Sequence, residues 1–83
     1  MPRHVVPIYT PTTGSISYTA ADATNPKAPV LVTAGDTIAA LEVCKMEVPI
    51  TSPATGSCRF FFIPGQIVNE GVRLAEIVVD DES

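Results

Sequence analysis

Two short motifs occur twice in this 83-residue chain, in the same order, and they limit its fold more than any other property. The segment PTTGSI at 11–16 returns as PATGSC at 53–58, an offset of 42 residues. The segment PVLVTAGDTI at 29–38 returns as GQIVNEGVRL at 65–74, an offset of 36 residues. Internal repetition in so short a chain predicts two similar halves related by a pseudo-twofold axis.

The residues around these motifs indicate β-strands. Eight prolines and five glycines separate short runs rich in Val, Ile, Thr and Phe, and no long stretch keeps a helical period. We therefore predict an all-β protein. The expected strands lie near 4–9, 14–19, 29–33, 37–43, 46–51, 56–63 and 72–79, and 65–68 is a candidate for a further short strand.

Three local patterns add detail to this prediction. The segment IAAL at 38–41 is apolar at every position, which is typical of a strand buried on both faces. Pro49 has no N–H group, so its strand should lie at a sheet edge. Gly35 and Gly71 fall at matching places in the repeat, and we expect both to occupy equivalent turns with positive φ.

Composition argues against several classes of function. The net charge of −4 disfavours nucleic acid and anionic membrane surfaces as partners, because both recruit clustered Lys and Arg. No secretion signal and no bilayer-spanning apolar run is visible, so we expect a cytoplasmic protein. Cys44 and Cys58 lack the further ligands of a zinc site, and a single histidine leaves little for Ser-His-Asp or Cys-His chemistry. We expect no metal site and no catalysis by the chain itself.

Lys45 lies between the two halves, inside the otherwise strand-like run ALEVCKMEVPI at 40–50. No Gly, Pro, Asn or Asp separates the strand before it from the strand after it. A two-residue turn at Cys44-Lys45 would need positive φ at residues that resist it, at a cost of about 1–2 kcal/mol each. Such strain persists mostly where function demands particular side chains. On spacing alone, Lys45 is either a solubilising surface lysine or a modification site that an enzyme reaches from outside.

The sequence around Lys45 resembles the acceptor signature of biotin carboxyl carrier domains, Glu-Ala/Val-Met-Lys-Met, which reads EVCKM at 42–46. The family's flanking patterns, Val-x-x-Gly-Asp-x-Leu/Ile before the signature and Gly-x-x-Val-x-x-Gly-x-x-Leu after it, are also present. One departure is Cys44, where the family usually has Met. The resemblance covers roughly residues 11–78. The matching flanking residues are Val32, Gly35, Asp36, Ile38, Ile50, Gly56, Gly65, Val68, Gly71 and Leu74.

The resemblance implies a fold that agrees with the repeats. That fold is a flattened β-barrel, or barrel-sandwich hybrid, of two quasi-symmetric four-stranded halves with the acceptor lysine on an exposed hairpin. It would form a single domain over 1–83, with a core at about 11–78 and an acidic C-terminal tail at 80–83.

The resemblance also implies a function, that of a non-catalytic biotin carboxyl carrier subunit in a multi-subunit carboxylase of the acetyl-CoA carboxylase type. Biotin would be attached covalently to Lys45 by a biotin protein ligase, with Cys44 and Met46 flanking the acceptor. The domain would carry carboxybiotin between a biotin carboxylase and a carboxyltransferase. Glu42 and Glu47 are candidate contacts to the ligase or to these partners, or simply solvated charges on the strands.

Two alternatives remain open on the same fold. The first is a lipoyl carrier, although lipoyl domains usually have Asp-Lys-Ala at the tip, so Met46 favours biotin. The second is an unmodified barrel used as a structural adaptor.

The first half is six residues longer than the second, and the extra residues fall within SYTAADATNPKAPV at 17–30. Carriers of the bacterial acetyl-CoA carboxylase type have an insertion at this place, called the thumb, which folds over biotin. We expect the loop 20–28 to be thumb-like and to pack beside the hairpin at 44–46. A longer surface loop without function is the alternative.

Overall fold

Eight β-strands make up the fold in the computed structural model, which describes residues 3–80. No helix within these residues is long and apolar enough to cross a membrane. The all-β prediction is confirmed. The strands are β1 (Arg3–Tyr9), β2 (Gly14–Thr19), β3 (Val30–Val32), β4 (Thr37–Val43), β5 (Met46–Thr51), β6 (Gly56–Phe60), β7 (Ile67–Val68) and β8 (Arg73–Asp80).

Strand β6 is shorter than the 56–63 that the sequence predicts, because a turn begins at Ile63. The Gln66 N–H donates to the Ile63 carbonyl at 3.2 Å, and the Gln66 side-chain oxygen accepts from the Ile63 N–H at 2.8 Å. Pro64 and Gly65 occupy the two central positions, with φ +98° at Gly65. Pro followed by a residue with positive φ is the type II arrangement, so the apolar run at 61–63 leads into a turn instead of extending the strand.

The strands form two antiparallel four-stranded sheets with matching orders. Sheet A has the order β1-β8-β6-β3 and sheet B the order β5-β4-β2-β7. An offset of 42 carries β1 and β2 onto β5 and β6, and an offset of 36 carries β3 and β4 onto β7 and β8. The same offsets convert one sheet order into the other, which confirms the two quasi-symmetric halves. We call residues related by these offsets equivalent. Strand pairing within 3–80 does not join the two sheets, so the barrel is flattened and open at its sides.

The repeated glycines near the second motif occupy equivalent turns, as predicted. Gly35 has φ +93° and Gly71 has φ +83°. The Gly35 N–H donates to the Ser52 carbonyl at 2.8 Å, and the Gly71 N–H donates to the Thr10 carbonyl at 2.9 Å. Thr10 and Ser52 are themselves equivalent and buried, and the sequence analysis missed both. The available signal was a hydroxyl residue before the proline that opens each copy of the first motif.

The repeated glycines in the first motif allow two strands to approach closely. A Cβ atom at Gly14 would lie 2.8 Å from the Glu42 carbonyl oxygen, and one at Gly56 would overlap the carbonyl oxygen of Val78, the equivalent of Glu42. Glycine therefore recurs at these places because no side chain fits there.

The core lies between the sheets and includes the whole IAAL segment of β4 at 38–41, as predicted. β1 and β5 are edge strands, and they carry Pro7 and Pro49 at equivalent positions. The edge position predicted from Pro49 is confirmed. The other edge strands, β3 and β7, are only three and two residues long. Proline and short length both blunt sheet edges against unwanted pairing.

Candidate functional site

The hairpin that joins β4 to β5 carries Lys45 at its tip. Val43 pairs with Met46, so Cys44 and Lys45 are the two central residues of the turn. Their φ angles are +48° and +68°, and they are the only non-glycine residues between 3 and 80 with positive φ. Positive φ at both central positions is the type I′ pattern, which Asn-Gly normally fills. The predicted strain at this turn is therefore confirmed, at a cost of about 1–2 kcal/mol for each residue.

The tip projects from a buried base into solvent. Leu41 is fully buried and Ile50 nearly so, whereas Cys44, Lys45 and Met46 are exposed. Met46 keeps 69% of its surface accessible although it is a large apolar residue. The Lys45 side chain forms no ion pair with any residue of the described range 3–80. Its amine is therefore open to an enzyme that approaches from outside.

Two carboxylates stand side by side below the turn. Glu42 on β4 pairs directly with Glu47 on β5, and both are exposed. Like charges that face each other across a strand pair destabilise it. The Ser17 hydroxyl donates to the Glu47 carboxylate at 3.0 Å and partly compensates. The structure thus brings both predicted acidic residues together, each within three residues of Lys45 along the chain. It also adds Ser17 to the site, which the sequence analysis missed.

The sequence profile of the family described as Biotin-requiring enzyme matches residues 6–77. The chain belongs to this biotin/lipoyl-attachment family. The matched range agrees with the predicted resemblance over about 11–78 and extends it into β1. Members of the family carry biotin or lipoate as a covalently attached group.

The fold also matches part of a solved structure, that of a single-chain, multi-domain long-chain acyl-CoA carboxylase. The TM-score is 0.78 at 20% sequence identity, and the match covers 95% of this chain. It covers 7% of the carboxylase, so this chain spans a small part of that protein. A search of curated proteins found no match.

The residues at the tip fit a covalently attached group of this family. Attachment needs a primary amine that a ligase can reach and that no neighbouring carboxylate holds, and Lys45 has both properties within the described structure. The second lysine, Lys27, is also exposed but lies in the loop between β2 and β3. Of the two lysines in this chain, Lys45 is therefore the one that lies at the centre of a strained two-residue turn.

The two cysteines occupy opposite environments. Cys44 is exposed in the turn, and Cys58 is fully buried in β6. Burial raises the pKa of the Cys58 thiol to about 11. Both thiols are free. Cys44 is therefore the accessible thiol of the pair, directly beside Lys45.

The loop 20–28 does not begin near the hairpin. Strand β2 runs antiparallel to β4, and its last residue, Thr19, pairs with Ala39. At about 3.3 Å per residue, Lys45 lies about 20 Å further along β4. β2 therefore carries the chain away from the turn before the loop begins, and the packing of the loop beside residues 44–46 stays a prediction.

The loop instead folds over the end of β2 that is remote from the turn. Its residues form a groove of about 320 Å³ together with Ser17–Thr19 and the Ile63–Pro64 segment. The Asp22 carboxylate accepts hydrogen bonds from the N–H and the hydroxyl of Thr24, both at 2.9 Å, and these bonds lower the pKa of Asp22. A thumb role over the cofactor stays a prediction.

Proposed function

We propose that this chain is a non-catalytic, cytoplasmic biotin carrier and that Lys45 is its attachment site. The exposed amine at the centre of a strained hairpin turn carries the proposal. The Nζ atom of Lys45 would form an amide with the carboxyl group of biotin, in a reaction catalysed by a biotin protein ligase. The type I′ turn holds the amine away from the sheet, so the ligase can surround the tip without unfolding the strands.

Biotin is favoured over lipoate by the residue after the lysine. Met46 stays exposed at the tip, in the place where the biotin-acceptor signature has methionine and lipoyl domains usually have alanine. Exposed methionine offers a ligase a flexible apolar contact that adapts to the shape of its surface. Cys44 and Met46 would then form the apolar surroundings of the acceptor, and the Glu42–Glu47 pair would supply the polar contacts below it.

We further propose that the carrier serves an acyl-CoA carboxylase, moving between a biotin carboxylase and a carboxyltransferase. The likeness in fold to a segment of a long-chain acyl-CoA carboxylase supports this assignment. When bound, biotin supplies an atom that accepts a carboxyl group at one active site and releases it at the other. Tethering to a small rigid domain raises the effective concentration of the group at both sites. The choice of acyl acceptor belongs to the carboxyltransferase and not to the carrier. Acetyl-CoA is the first acceptor to test.

Intact-mass spectrometry of the full chain after incubation with biotin, ATP and a biotin protein ligase tests the attachment site. We expect the mass to rise by one biotinyl group, and we expect no rise for Lys45→Arg. Lys27→Arg is the matched control, because it removes the other lysine of the chain and should be modified like the wild type.

Two results would contradict the proposal. If the folded wild type gains no mass, biotin is not its cofactor, and lipoate with a lipoate ligase becomes the next assay. If Lys45→Arg is modified and Lys27→Arg is not, the attachment site lies in the loop between β2 and β3. A chain that accepts neither group would be an unmodified adaptor.

A further inference from the structure

The outward surfaces of the two sheets differ at equivalent positions. On sheet A, Val5, Val78, Ser57 and Leu31 pair in turn across all four strands, and we call these residues row A. On sheet B, the equivalent pairing runs through Glu47, Glu42, Ser15 and Ile67, which we call row B. The backbone is the same in both rows, so the difference lies in the side chains alone. Row A is apolar where row B is acidic.

Row A is exposed to a degree that folding does not require. Leu31 is 86% accessible and Val5 is 49% accessible, although both are aliphatic. A single exposed aliphatic residue is ordinary, but the exposed Leu31 and Val5 share their row with the half-buried Val78, so the outer face of sheet A carries an apolar row that only Ser57 interrupts. Inward-facing neighbours on the same strands, such as Cys58 and Ile77, are fully buried, so the core of sheet A is complete without row A.

Arginine flanks row A on both sides. An open groove of about 450 Å³ lies over it, and its lining includes Leu31, Ser57 and Val78 together with Arg3 and Arg59. Arg59 pairs in register with Glu76, whose carboxylate lies 3.6 Å from Arg73 instead. Arg59 has no ion pair within the described residues, so its guanidinium group is available to a partner. The groove therefore combines aliphatic side chains with an unpaired positive charge in a chain whose net charge is −4.

We propose that row A is a docking surface for another protein, and that the partner presents an extended segment with both aliphatic and acidic residues on the side that faces the sheet, at every second position. Aliphatic side chains of such a segment would cover Leu31 and Val78, and a carboxylate of the segment would pair with Arg59. The blunted edges of sheet A disfavour strand addition, so the segment lies on the face of the sheet. A second copy of this chain fits less well, because two apposed rows would bring the Arg59 side chains together.

The acidic row B explains why the partner would bind sheet A and not sheet B. A negatively charged segment that contacted row B would meet Glu42 and Glu47, so repulsion excludes it from the equivalent face. The hairpin belongs to sheet B, and docking through sheet A leaves Lys45 uncovered. Row A would thus hold the domain to its partner while the tip stays free. This proposal does not depend on which group Lys45 carries.

A random peptide library displayed against the full chain tests this proposal. We expect the enriched peptides to carry aliphatic and acidic residues spaced two positions apart, and to bind about tenfold more weakly to Leu31→Ser and to Arg59→Glu, the size of loss typical for an anchor residue. Ile67→Ser is the matched control, because Ile67 is the equivalent of Leu31 and is 76% accessible. It should bind like the wild type.

Amide chemical shifts locate the bound peptide. Shifts should move at 29–31, 55–59 and 78 and stay unchanged at 42–47. The proposal is overturned if no peptide is enriched, if the enriched peptides lack acidic residues, or if binding survives in Leu31→Ser and Arg59→Glu. It is equally overturned if binding is lost in Ile67→Ser or if the shifts map to row B.

Discussion

The β4–β5 pair and the β1–β8 pair occupy equivalent places in the two sheets. Only the β4–β5 pair is closed by a turn. Val43 pairs with Met46, and their equivalents Val79 and His4 pair in the same register. Beyond this point β1 and β8 form one further residue pair, whereas β4 and β5 are joined through Cys44-Lys45. Sheet pairing here therefore requires no particular turn residues. The costly choice of Cys and Lys at the turn serves the exposed tip and not the sheet.

Adding a methyl group at Gly56 or Gly14 is the strongest way to break the equivalence of the halves. Each new Cβ would meet a backbone carbonyl oxygen of a neighbouring strand, and the approach is closer at Gly56. We expect Gly56→Ala to lower the free energy of unfolding by about 3 kcal/mol and Gly14→Ala by about 2 kcal/mol, as overpacking typically does. Urea unfolding followed by circular dichroism measures both.

Gly35→Ala and Gly71→Ala are the controls for that experiment. A Cβ at either position meets nothing within 4 Å, so only the positive φ opposes the substitution. Both should cost about 1 kcal/mol, and by similar amounts because their turns are equivalent. Equal losses in all four variants would mean that the close strand approach at Gly14 and Gly56 is not what the glycines serve.

Replacing the turn residues by Asn-Gly sharpens the comparison between the closed and the open strand pair. Cys44→Asn combined with Lys45→Gly lowers the strain of positive φ at both central positions. Asn keeps part of that strain and Gly loses more backbone entropy on folding, so we expect a net gain of about 1–2 kcal/mol in the free energy of unfolding. The biotin ligase assay should at the same time show no modification. Thermal unfolding of the double variant beside Lys45→Arg separates the two effects, since arginine keeps the strain. No gain in stability would contradict the conclusion that the tip is strained.

The sequence predicted what depends on local chemistry and missed what depends on pairing register. The repeat was enough to predict two similar halves and the equivalent turns at Gly35 and Gly71, and the lack of Asn or Gly beside Lys45 was enough to predict the strained turn. The contact of Ser17 with Glu47 arises from a register shift between Ile16 and Tyr18, and no residue type announces it. The direction in which the loop 20–28 leaves the sheet depends likewise on strand direction. Strand β6 was predicted too long because the apolar pattern continues into the Pro64 turn.

Cys58 is a buried titratable residue in the second half, and its equivalent in the first half is the buried, non-titratable Ile16. Burial raises the pKa of the Cys58 thiol from 9.0 to about 11, so the unfolded chain loses this proton first as the pH rises. The stability that the neutral thiol contributes is complete below pH 9.0 and is lost as the pH rises through about 11. We expect a fall on the order of 1 kcal/mol across this window.

Cys58→Val makes the two halves alike in this respect, although it adds about one methyl group to the core, so the slope of stability against pH is compared and not its absolute value. Chemical denaturation from pH 8 to 11 should show a shallower loss of stability for this variant than for the wild type. Cys44→Ser is the control, because it removes the exposed thiol and leaves the buried one in place. Parallel curves for Cys58→Val and the wild type would show that the buried thiol does not titrate differently in the folded state.

The smallest expected effect comes from exchanging the charges of the two rows. Glu47→Gln removes the like-charge pair on row B, and we expect it to stabilise the fold by about 0.2–1 kcal/mol at low ionic strength. The reverse substitution, Val5→Glu with Val78→Glu, places the same pair on row A and should destabilise the fold by a similar amount. Salt should reduce both effects, because the groups are exposed. If Glu47→Gln instead destabilises the fold, then the hydrogen bond between Ser17 and the Glu47 carboxylate outweighs the repulsion from Glu42. The acidic pair would then contribute to stability, and its presence would require no functional explanation.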